Sequence, residues 1–308
     1  MILSICPNPS RDCTLELDNL NVGKLNRIRN KVETYSGKGL NVAIGVSRLG
    51  ANSFVTGFMF EDGGKPFEER LKKEYVKYDF VWNSGSVRVN YKIIDNKAML
   101  TELNDKGDEV SREKQLELIA LVKELSQKAS VVVMSGSIPK GVDSSFYGEV
   151  LSAVPDGVKI VVDSEKDNLK SALTRGLYMI KPNLAELEEY AGKELHSKAE
   201  ILDAAKLLIE KGVENVLVSL GADGAIITNG KTAYYCKSVN VAVNSTVGAG
   251  DSMVASASVQ IEKGASLDEI LRSAVAAGTA SITTPGTNLF YKDKYDEVYN
   301  SLNIEKLF

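Results

Sequence analysis

The sequence predicts an α/β protein whose central, mostly parallel sheet is covered by helices on both faces. In residues 112–219, short continuous apolar runs alternate with amphipathic stretches, which is the pattern of buried parallel strands joined by crossover helices. Residues 13–35 and 79–104 differ, because they favour β-structure and carry no helical stripe. We interpret these two stretches as β-rich insertions that form one small sheet lying over a cleft.

The length of the chain bounds the number of domains. A chain of 308 residues suits one large α/β domain. We find no internal repeat, low-complexity tract or flexible linker that would divide it. We therefore predict a single domain over residues 1–308, in which insertions at about 12–35 and 86–104 form a lid.

The individual elements follow from apolar spacing and from the positions of proline and glycine. Two prolines, Pro7 and Pro9, end the first strand and place Asp12 just beyond its carboxyl end. The apolar residues after Asn41 recur at helical spacing and stop at Gly50. The predicted strands cover 1–6, 27–35, 54–58, 80–82, 87–94, 98–103, 131–134, 159–162, 177–180 and 215–219. The predicted helices cover 41–49, 66–75, 112–128, 144–153, 166–174, 198–211 and 251–261.

Composition argues against several classes of partner. Lys and Arg number 37 and Asp and Glu number 41, which gives a net charge of −4. This balance argues against nucleic acid or an anionic membrane as the main partner. We expect no transmembrane helix, since no run of about 18 apolar residues occurs. We also expect no signal peptide, because the N-terminal residues lack a basic region followed by a long apolar stretch. Cys6, Cys13 and Cys236 lack a C-x-x-C pair, which predicts a reduced, cytoplasmic protein without a cysteine zinc site.

The histidine count narrows the possible chemistry. His196 is the only histidine, so Ser-His-Asp or Cys-His catalysis would have to depend on it, and an H-E-x-x-H metal site is impossible. Its position between two helical patterns predicts a solvated loop residue. Acid–base chemistry in this protein is therefore expected to fall to a carboxylate.

A glycine-rich stretch at 244–253 is the strongest local signal of function. Gly248 and Gly250 come just before Asp251, and a helix of small residues follows. Such a turn directs several backbone N–H groups, and the positive end of a helix dipole, at one anion. We interpret Asp251 as a base that takes a proton from a substrate hydroxyl while the turn stabilises an arriving phosphoryl group. The alternative is that Asp251 only caps the helix, and the stretch by itself does not decide between the two.

Polar residues follow several of the predicted strands. In open parallel sheets ligands bind beyond the carboxyl ends of the strands, so these residues are expected to share one site. Each has an ordinary alternative: Gly221 and Gly224 suit turns, Asn183 suits a helix N-cap, and Glu186 suits a capping arrangement. The residues in question are Asn8 to Asp12, Ser135 to Ser137, Asp163 and Ser164, Lys181 to Asn183 with Glu186, and Ser219 to Gly224.

Basic side chains and one amide lie in or next to the two insertions. Lys38 lies between two glycines, a spacing that we attribute to close approach of a ligand. Arg88, Asn90 and Lys92 alternate with Val89 and its neighbours, so all three point to one face of a strand. Such a row usually belongs to a solvated sheet face. If it faces the cleft together with Lys38, it forms a receptor for a phosphate that the substrate already carries.

Six motifs in this order resemble the ribokinase-like (PfkB) carbohydrate kinases over essentially the whole chain. Any one of them alone would be unspecific, whereas the ordered set is specific. Arg88-x-Asn-x-Lys92 together with Gly37-Lys-Gly39 indicates the branch that acts on sugar phosphates. The motifs are Asn8-Pro…Asp12, Gly37-Lys-Gly-Leu-Asn-Val-Ala43, Ser135-Gly-Ser-Ile-Pro-Lys-Gly141, Lys181-Pro-Asn-Leu-Ala-Glu-Leu187, Val218-Ser-Leu-Gly-Ala-Asp-Gly224 and Ser245-Thr-Val-Gly-Ala-Gly-Asp251.

The resemblance implies a ribokinase-like fold with a β-sheet lid and an ATP- and magnesium-dependent activity. The γ-phosphoryl group of ATP would go to the free primary hydroxyl of a ketohexose phosphate, with Asp251 as general base. Gly248, Ala249 and Gly250 would form the anion hole. The substrate would be held by Asp12, Gly37, Lys38, Asn41, Arg88, Asn90, Lys92 and Ser137. The nucleotide and its magnesium would be held by Lys181, Asn183, Ser219, Gly221, Ala222, Gly224, Gly248, Gly250 and residues 276–286, with Glu186 as the metal ligand.

The resemblance also implies an acceptor and a quaternary state. Within the family, the chain is most similar to enzymes that convert fructose 1-phosphate to fructose 1,6-bisphosphate. Tagatose 6-phosphate and fructose 6-phosphate are the alternative acceptors. Family members form dimers in which the lids clasp, so a homodimer through the lid sheets is expected, with Lys24 or Arg27 reaching the partner's site.

Three positions depart from the family pattern, and two unrelated functions remain open. Ser36 and Ser256 replace common glycines, and Arg11 is larger than expected beside Asp12. Arg11 and Ser36 are expected to border the sugar site. A non-catalytic sugar-phosphate sensor is one alternative, disfavoured because it would not need Asp251. A dinucleotide-binding oxidoreductase is the other, disfavoured because no G-x-G-x-x-G follows the first strand.

Overall fold

Two β-sheets and ten helices make up the described chain. The structure is a computed structural model that describes residues 1–97, 99–164, 166–284 and 288–308. The strands are β1 (Ile2–Cys6), β2 (Ser10–Glu16), β3 (Asn30–Ser36), β4 (Ser53–Asp62), β5 (Lys77–Ser86), β6 (Arg88–Ile94), β7 (Leu100–Leu103), β8 (Val131–Ser135), β9 (Lys159–Asp163), β10 (Leu177–Ile180), β11 (Val213–Ser219), β12 (Ala225–Thr228), β13 (Ala233–Cys236) and β14 (Ile304–Lys306). The helices are α1 (Lys38–Arg48), α2 (Lys65–Lys73), α3 (Arg112–Ser126), α4 (Ser145–Ser152), α5 (Lys166–Ala172), α6 (Leu184–Ala191), α7 (Lys198–Ile209), α8 (Ala249–Lys263), α9 (Leu267–Ser281) and α10 (Lys292–Ser301).

The main sheet has the mostly parallel architecture that the sequence predicts. Its strand order in the described residues is β14-β13-β12-β11-β10-β9-β8-β1-β4-β5. The strands from β11 to β5 are parallel, whereas β12, β13 and β14 add an antiparallel edge. Every residue of β1 and β8 is buried, so the centre of the sheet is covered on both faces. The strand order reverses between β1 and β8, and ligands bind open sheets at such a reversal.

A second sheet, which we call the lid sheet, has the order β3-β2-β6-β7 in the described residues. It contains β2 and β3 from the first predicted insertion and β6 and β7 from the second. The assignment of residues 80–82 to this insertion is wrong, because they belong to β5, which pairs in parallel with β4 in the main sheet. Phe80 and Val81 are buried there. Ala98, where the last predicted strand begins, lies outside the described residues.

Close packing of α1 on β1 accounts for the glycines around Lys38. A Cβ atom on Gly39 would lie 2.5 Å from the carbonyl oxygen of Ile5, and one on Gly37 would lie 2.7 Å from Cys6 Sγ. Helix α1 also begins at Lys38, three residues before the predicted start. Our explanation of both glycines by a ligand is therefore wrong, since helix–strand contact already requires them.

The other predicted helices and parallel strands are confirmed, with ends shifted by at most two residues except in β4, which runs four residues past its predicted end. The sequence patterns do not single out β12, β13 and β14, which are only three or four residues long. His196 lies in an exposed loop, as predicted. Within the described ranges, no helix combines the length and the apolar character that crossing a membrane requires.

Candidate active site

The candidate site lies where the strand order of the main sheet reverses. The loops after β1 and β8 meet there, because Asn8 Nδ2 donates a hydrogen bond to Ser137 Oγ at 3.4 Å. The ends of β9 and β10 also meet, through an ion pair of 3.4 Å between Asp163 Oδ1 and Lys181 Nζ. Four neighbouring strands thus deliver polar side chains to one edge of the sheet.

Two helices begin at this edge without a side-chain cap. The N-cap residues of α1 and α8 are Gly37 and Gly248, which have no side chain to cap the helix, and in α1 the Cys6 thiol faces the backbone of Gly39 and Leu40. Helices α3, α6 and α7, in contrast, are capped by the side chains of Ser111, Asn183 and Ser197. The start of α8 lines the cleft with Gly248, Gly250 and Asp251, so its first-turn N–H groups remain available for an anion.

The turn before α8 places Asp251 in the first turn of that helix. Gly248 has a φ of 84°, a left-handed conformation that side chains disfavour, and α8 starts at the next residue. The N-cap is thus Gly248 and not Asp251. The Asp251 carboxylate instead accepts a hydrogen bond of 2.8 Å at Oδ2 from Asn41 Nδ2 in α1. This geometry does not support the alternative that Asp251 only caps the helix.

Burial makes the Asp251 carboxyl group less acidic than usual. Only 7% of the residue is exposed, and this burial raises the pKa of Asp251 to about 6. Lys38 opposes the shift, the negative charge of Asp163 adds to it, and Asn41 and Lys181 oppose it further. A carboxylate with this pKa is ionised at neutral pH and still basic enough to accept a proton from a positioned hydroxyl.

A three-membered ion cluster lies beside Asp251. The Asp163 carboxylate, 2% exposed, faces Lys181 with one oxygen and Lys38 with the other, at 3.4 and 3.5 Å. Burial opposes ionisation of Asp163, but the two ammonium groups outweigh it and lower its pKa. Asp163 also raises the pKa of Lys38. The sequence shows Asp163 at a strand end but gives no sign that it joins two lysines from separate segments.

The lid sheet contributes a guanidinium group that is held by neutral partners. Arg88 donates hydrogen bonds to the carbonyl oxygens of Asn8, Pro9 and Asp105, at 2.9, 3.4 and 3.2 Å. It forms no ion pair within the described residues. Because none of the described carboxylates pairs with it directly, Arg88 can offer its charge to an anion in the cleft.

Asp12 and Lys92 form a buried pair on the same face of the lid sheet. Asp12 Oδ1 accepts hydrogen bonds from Ser10 and Asn90, and Oδ2 lies 3.5 Å from Lys92 Nζ. Lys92 is 8% exposed and reaches the cleft only through Asp12, which lines it, so its place in the substrate site stays a prediction. Arg11 points away from Asp12 on the other face of β2, which corrects the expectation that it borders the sugar.

A polar cleft of about 410 Å³ joins these groups from both sheets. Ser137 is exposed and lies outside its wall, although it contacts Asn8, whose carbonyl holds Arg88. Ser36 does border the cleft and accepts a hydrogen bond from Asn41. The cleft is lined by Ser10, Asp12, Ser36, Gly37, Lys38, Asn41, Arg88, Asn90, Asp163, Lys181, Asn183, Glu186, Ser219, Val247, Gly248, Gly250 and Asp251.

A second, more apolar pocket of about 340 Å³ adjoins the cleft. The two spaces share Asn183, Ser219 and Gly250 on their walls. The predicted nucleotide residues Gly221, Ala222 and Gly224 line this pocket, and so does Ala249, which was predicted beside the base. The predicted segment 276–286 contributes Gly278, Thr279 and Ile282 to the pocket wall, and Val275 lies just before it. Gly286, the last residue of that segment, lies outside the described residues.

The residues present fit a magnesium ion that arrives with a nucleotide. Asn183 and Glu186 form a reciprocal capping box at the start of α6, as the ordinary alternative expects, and both also line the cleft. The described residues contain no group of three or more His, Cys, Asp or Glu that could enclose a metal. Magnesium usually binds through one or two carboxylates and substrate phosphates, so the single carboxylate of Glu186 suits this mode.

Comparison with known proteins identifies the family. A family model described as pfkB family carbohydrate kinase matches residues 8–294. The chain belongs to the PfkB family. The fold class predicted from the sequence, the resemblance and the assignment as a kinase are thereby confirmed.

Relatives of this PfkB kinase carry more than one name. The 1-phosphofructokinase of Haemophilus influenzae is 33% identical, with 92% of this chain and 94% of the relative covered. The tagatose-6-phosphate kinase of Staphylococcus epidermidis is 30% identical, with 99% of each chain covered. The crystal structure of phosphofructokinase-2 from Escherichia coli in complex with substrates and products has a TM-score of 0.91 and 27% identity, covering 97% of this chain and 98% of that chain.

Proposed function

We propose that the protein transfers the γ-phosphoryl group of ATP to the free primary hydroxyl of a ketohexose phosphate, and that its acceptor is fructose 1-phosphate. The observation that carries the proposal is the position of Asp251, a buried carboxylate with a raised pKa at an uncapped helix start. It lies on the wall of the polar cleft, and Gly250 one residue earlier borders both the cleft and the apolar pocket. An acceptor in one space and a nucleotide in the other would meet at this turn.

The proposed roles follow from which space each side chain faces. Asp251 removes the hydroxyl proton, and the N–H groups of Gly248 to Gly250 stabilise the charge on the transferred group. Asp12, Lys38 and Asn41 hold the sugar together with Gly37 and Asn90. Arg88 binds the phosphate that the acceptor already carries. Ser137 acts there through its contact with Asn8, and Lys92 acts by holding Asp12.

Nucleotide binding is assigned to the apolar pocket and its border with the cleft. The purine base occupies the small-residue pocket at Gly221, Ala222 and Gly224, and the phosphates extend past Ser219 and Asn183 towards Lys181. Glu186, with Asn183, is the proposed site of magnesium. The metal, when bound, neutralises charge on the nucleotide phosphates.

The choice of acceptor rests on the branch motifs, because the relatives carry different names. Arg88 and Lys38 both line the cleft, which supports their proposed role as a receptor for the acceptor's phosphate. The names 1-phosphofructokinase and tagatose-6-phosphate kinase both occur among relatives of similar identity, and the structural relative is a phosphofructokinase-2. Fructose 1-phosphate is preferred because the motifs match that group best, with tagatose 6-phosphate and fructose 6-phosphate as the other acceptors.

We also propose that two copies associate through their lid sheets, with Lys24 or Arg27 reaching the partner's cleft. The support is a concentration of exposed apolar side chains on the lid sheet and on the chain between β2 and β3. These side chains belong to Val22, Leu25, Ile28, Val32, Tyr91, Met99, Leu100 and Leu103.

A coupled ADP-release assay tests the activity and the acceptor together. Fructose 1-phosphate, fructose 6-phosphate, tagatose 6-phosphate and unphosphorylated fructose are offered in parallel with ATP and magnesium. We expect kcat/KM for fructose 1-phosphate to exceed the others at least about tenfold, which corresponds to about 1.4 kcal/mol of transition-state discrimination. Preference for a 6-phosphate would retain the mechanism and change the acceptor. Absence of turnover with every sugar would favour a non-catalytic sensor.

A further inference from the structure

Asp163 is a buried carboxylate of the cleft to which the proposed mechanism gives no role. It is the last residue of β9, 2% exposed, and each of its oxygens faces a different lysine. A carboxylate this deeply buried is costly unless it is paired. One lysine would be enough to neutralise the charge of Asp163. The presence of a second lysine from a separate segment suggests that Asp163 also acts on the positions of the two ammonium groups.

The two lysines reach Asp163 from separate elements of the fold. Lys38 is the first residue of α1, and 42% of its side chain is exposed, towards the cleft that it lines. Lys181 follows β10 directly and its side chain is 5% exposed. A Cβ atom on Gly250 would lie 3.3 Å from Lys181 Nζ, so this ammonium group lies against the turn before Asp251.

We propose that Asp163 is a positioning residue, which holds the ammonium groups of Lys38 and Lys181 on either side of the phosphoryl group during its transfer. The inference rests on the proposed function and adds a residue to its machinery. Lysine side chains are flexible, and ordering one costs up to about 2 kcal/mol of rotamer entropy. A fixed anion between the two lysines orders both before the substrates bind, so that preorganised positive charge meets the charge developing in the transition state.

The same carboxylate also acts on the base. The charged groups that face Asp251 are Lys38 on α1, Asp163 at the end of β9 and Lys181 after β10. The lysines lower the pKa of Asp251 and Asp163 raises it. Without Asp163, two cations would stand beside the base unopposed, and Asp251 would become a weaker base. Asp163 therefore lets two cations lie close to a proton acceptor without removing its basicity.

The first test compares the wild-type enzyme with Asp163→Asn, which keeps the shape of the side chain and removes its charge. We expect kcat to fall about 10²-fold, the effect typical of losing one group that stabilises transition-state charge. We also expect the acid limb of the kcat/KM profile to move to lower pH. A purely structural role would lower activity without moving that limb. Wild-type kcat with an unmoved limb would overturn the proposal.

The second readout does not require turnover. Acetic anhydride acylates neutral amines, and Asp163 keeps Lys38 protonated by raising its pKa. In Asp163→Asn, labelling of Lys38 relative to the exposed Lys193, followed by mass spectrometry, should be at least about threefold faster, since one pKa unit changes the neutral fraction about tenfold. Unchanged labelling would show that Asp163 does not hold Lys38. If no sugar phosphate is turned over by the wild type, the proposed function fails while this measurement still tests the placement.

Three further variants control for effects on folding. Asp156→Asn removes an exposed aspartate that pairs with Arg175 away from the cleft, and it should behave as wild type. If Asp163→Asn alone does not fold because it leaves Lys181 buried without an anion, Asp163→Asn/Lys181→Met removes both members of the pair. Its kcat should be at least about tenfold below that of Lys181→Met, because Lys38 is also released. Equal values for these two variants would contradict the proposal.

Discussion

The most informative residue is a carboxylate that is kept in an unfavourable environment. Burial raises the pKa of Asp251 to about 6, well above the value of about 3.9 in an unfolded chain. The folded state therefore binds the proton more tightly, so the contribution of Asp251 to stability falls as pH rises from about 4 through about 6. At neutral pH the ionised group lowers the free energy of unfolding. This destabilising carboxylate is at the position where the general base is proposed.

Asp251→Asn should separate activity from stability. We expect kcat to fall roughly 10²–10⁴-fold, because a positioned general base is lost. The free energy of unfolding at pH 7 should rise by up to about 3 kcal/mol, because the buried charge is gone. Steady-state kinetics and urea unfolding measure the two effects. Wild-type turnover would show that another group is the base.

Arg88 should affect one substrate and not the other. Its guanidinium group is held by three backbone carbonyls in the lid sheet and lines the cleft, whereas it does not line the apolar pocket. Arg88→Ala should raise the KM for the sugar phosphate about tenfold or more, since a charge-assisted hydrogen bond is worth about 1.5–3 kcal/mol. The KM for ATP should change little. Equal increases in both would argue against the assigned role.

At the scale of elements, the contact between α1 and β1 fixes the site. Helix α1 carries Lys38 and Asn41 into the cleft, and Gly39 lets the helix approach the carbonyl of Ile5 closely. The hydrogen bond from Asn41 to Asp251 then ties the start of α1 to the start of α8. A small displacement of α1 would therefore disturb a cation and the base together.

Gly39→Ala should be destabilising in spite of the better helix propensity of alanine. The added methyl group would lie 2.5 Å from a backbone oxygen, which requires α1 to shift. We expect a loss of about 1–3 kcal/mol in the free energy of unfolding, as for other overpacked cores, and lower kcat. Gly176→Ala is the matched control, because its Cβ would meet only a carbonyl at 3.9 Å. Equal denaturation midpoints for the two variants would contradict the packing argument.

At the scale of the whole molecule, the lid sheet has two unlike faces. Arg88 and Asn90 line the cleft on one face, while Tyr91 and its register partner Leu103 lie on the other. These two apolar side chains are 39% and 55% exposed. Association of two lids would cover them, and it would bring the chain between β2 and β3 of one copy towards the other.

Leu103→Glu should weaken the proposed dimer. Burying a carboxylate in a lid–lid contact is unfavourable, so the dimer dissociation constant should rise at least about tenfold. Sedimentation velocity over a range of concentrations measures it. Leu116→Glu, at a position of similar exposure on α3, should leave association unchanged. A wild-type protein that is monomeric at all concentrations would refute association through the lids.

The sequence predicts the fold better than it predicts the contacts within the site. Continuous apolar runs locate the parallel strands, and the turn glycines locate the start of α8, because both signals are local. The pairing of β5 is not local, so residues 80–82 were placed in the wrong sheet. Alternation puts Lys92 on the same face as Arg88 and Asn90 but does not give its depth of burial beside Asp12. The link from Asp163 to two lysines joins segments far apart in the chain and leaves no pattern.

The uncapped starts of α1 and α8 have a consequence for the encounter with substrates. Each helix end carries about half a positive charge, and Lys38, Lys181 and Arg88 lie beside them. The chain as a whole has a net charge of −4. This net charge gives a polyanion no overall attraction to the chain, so its capture depends on the local field of these helix starts and cations. Added salt screens that field over about 10 Å at 0.1 M, and it should slow association while leaving the bound chemistry unchanged.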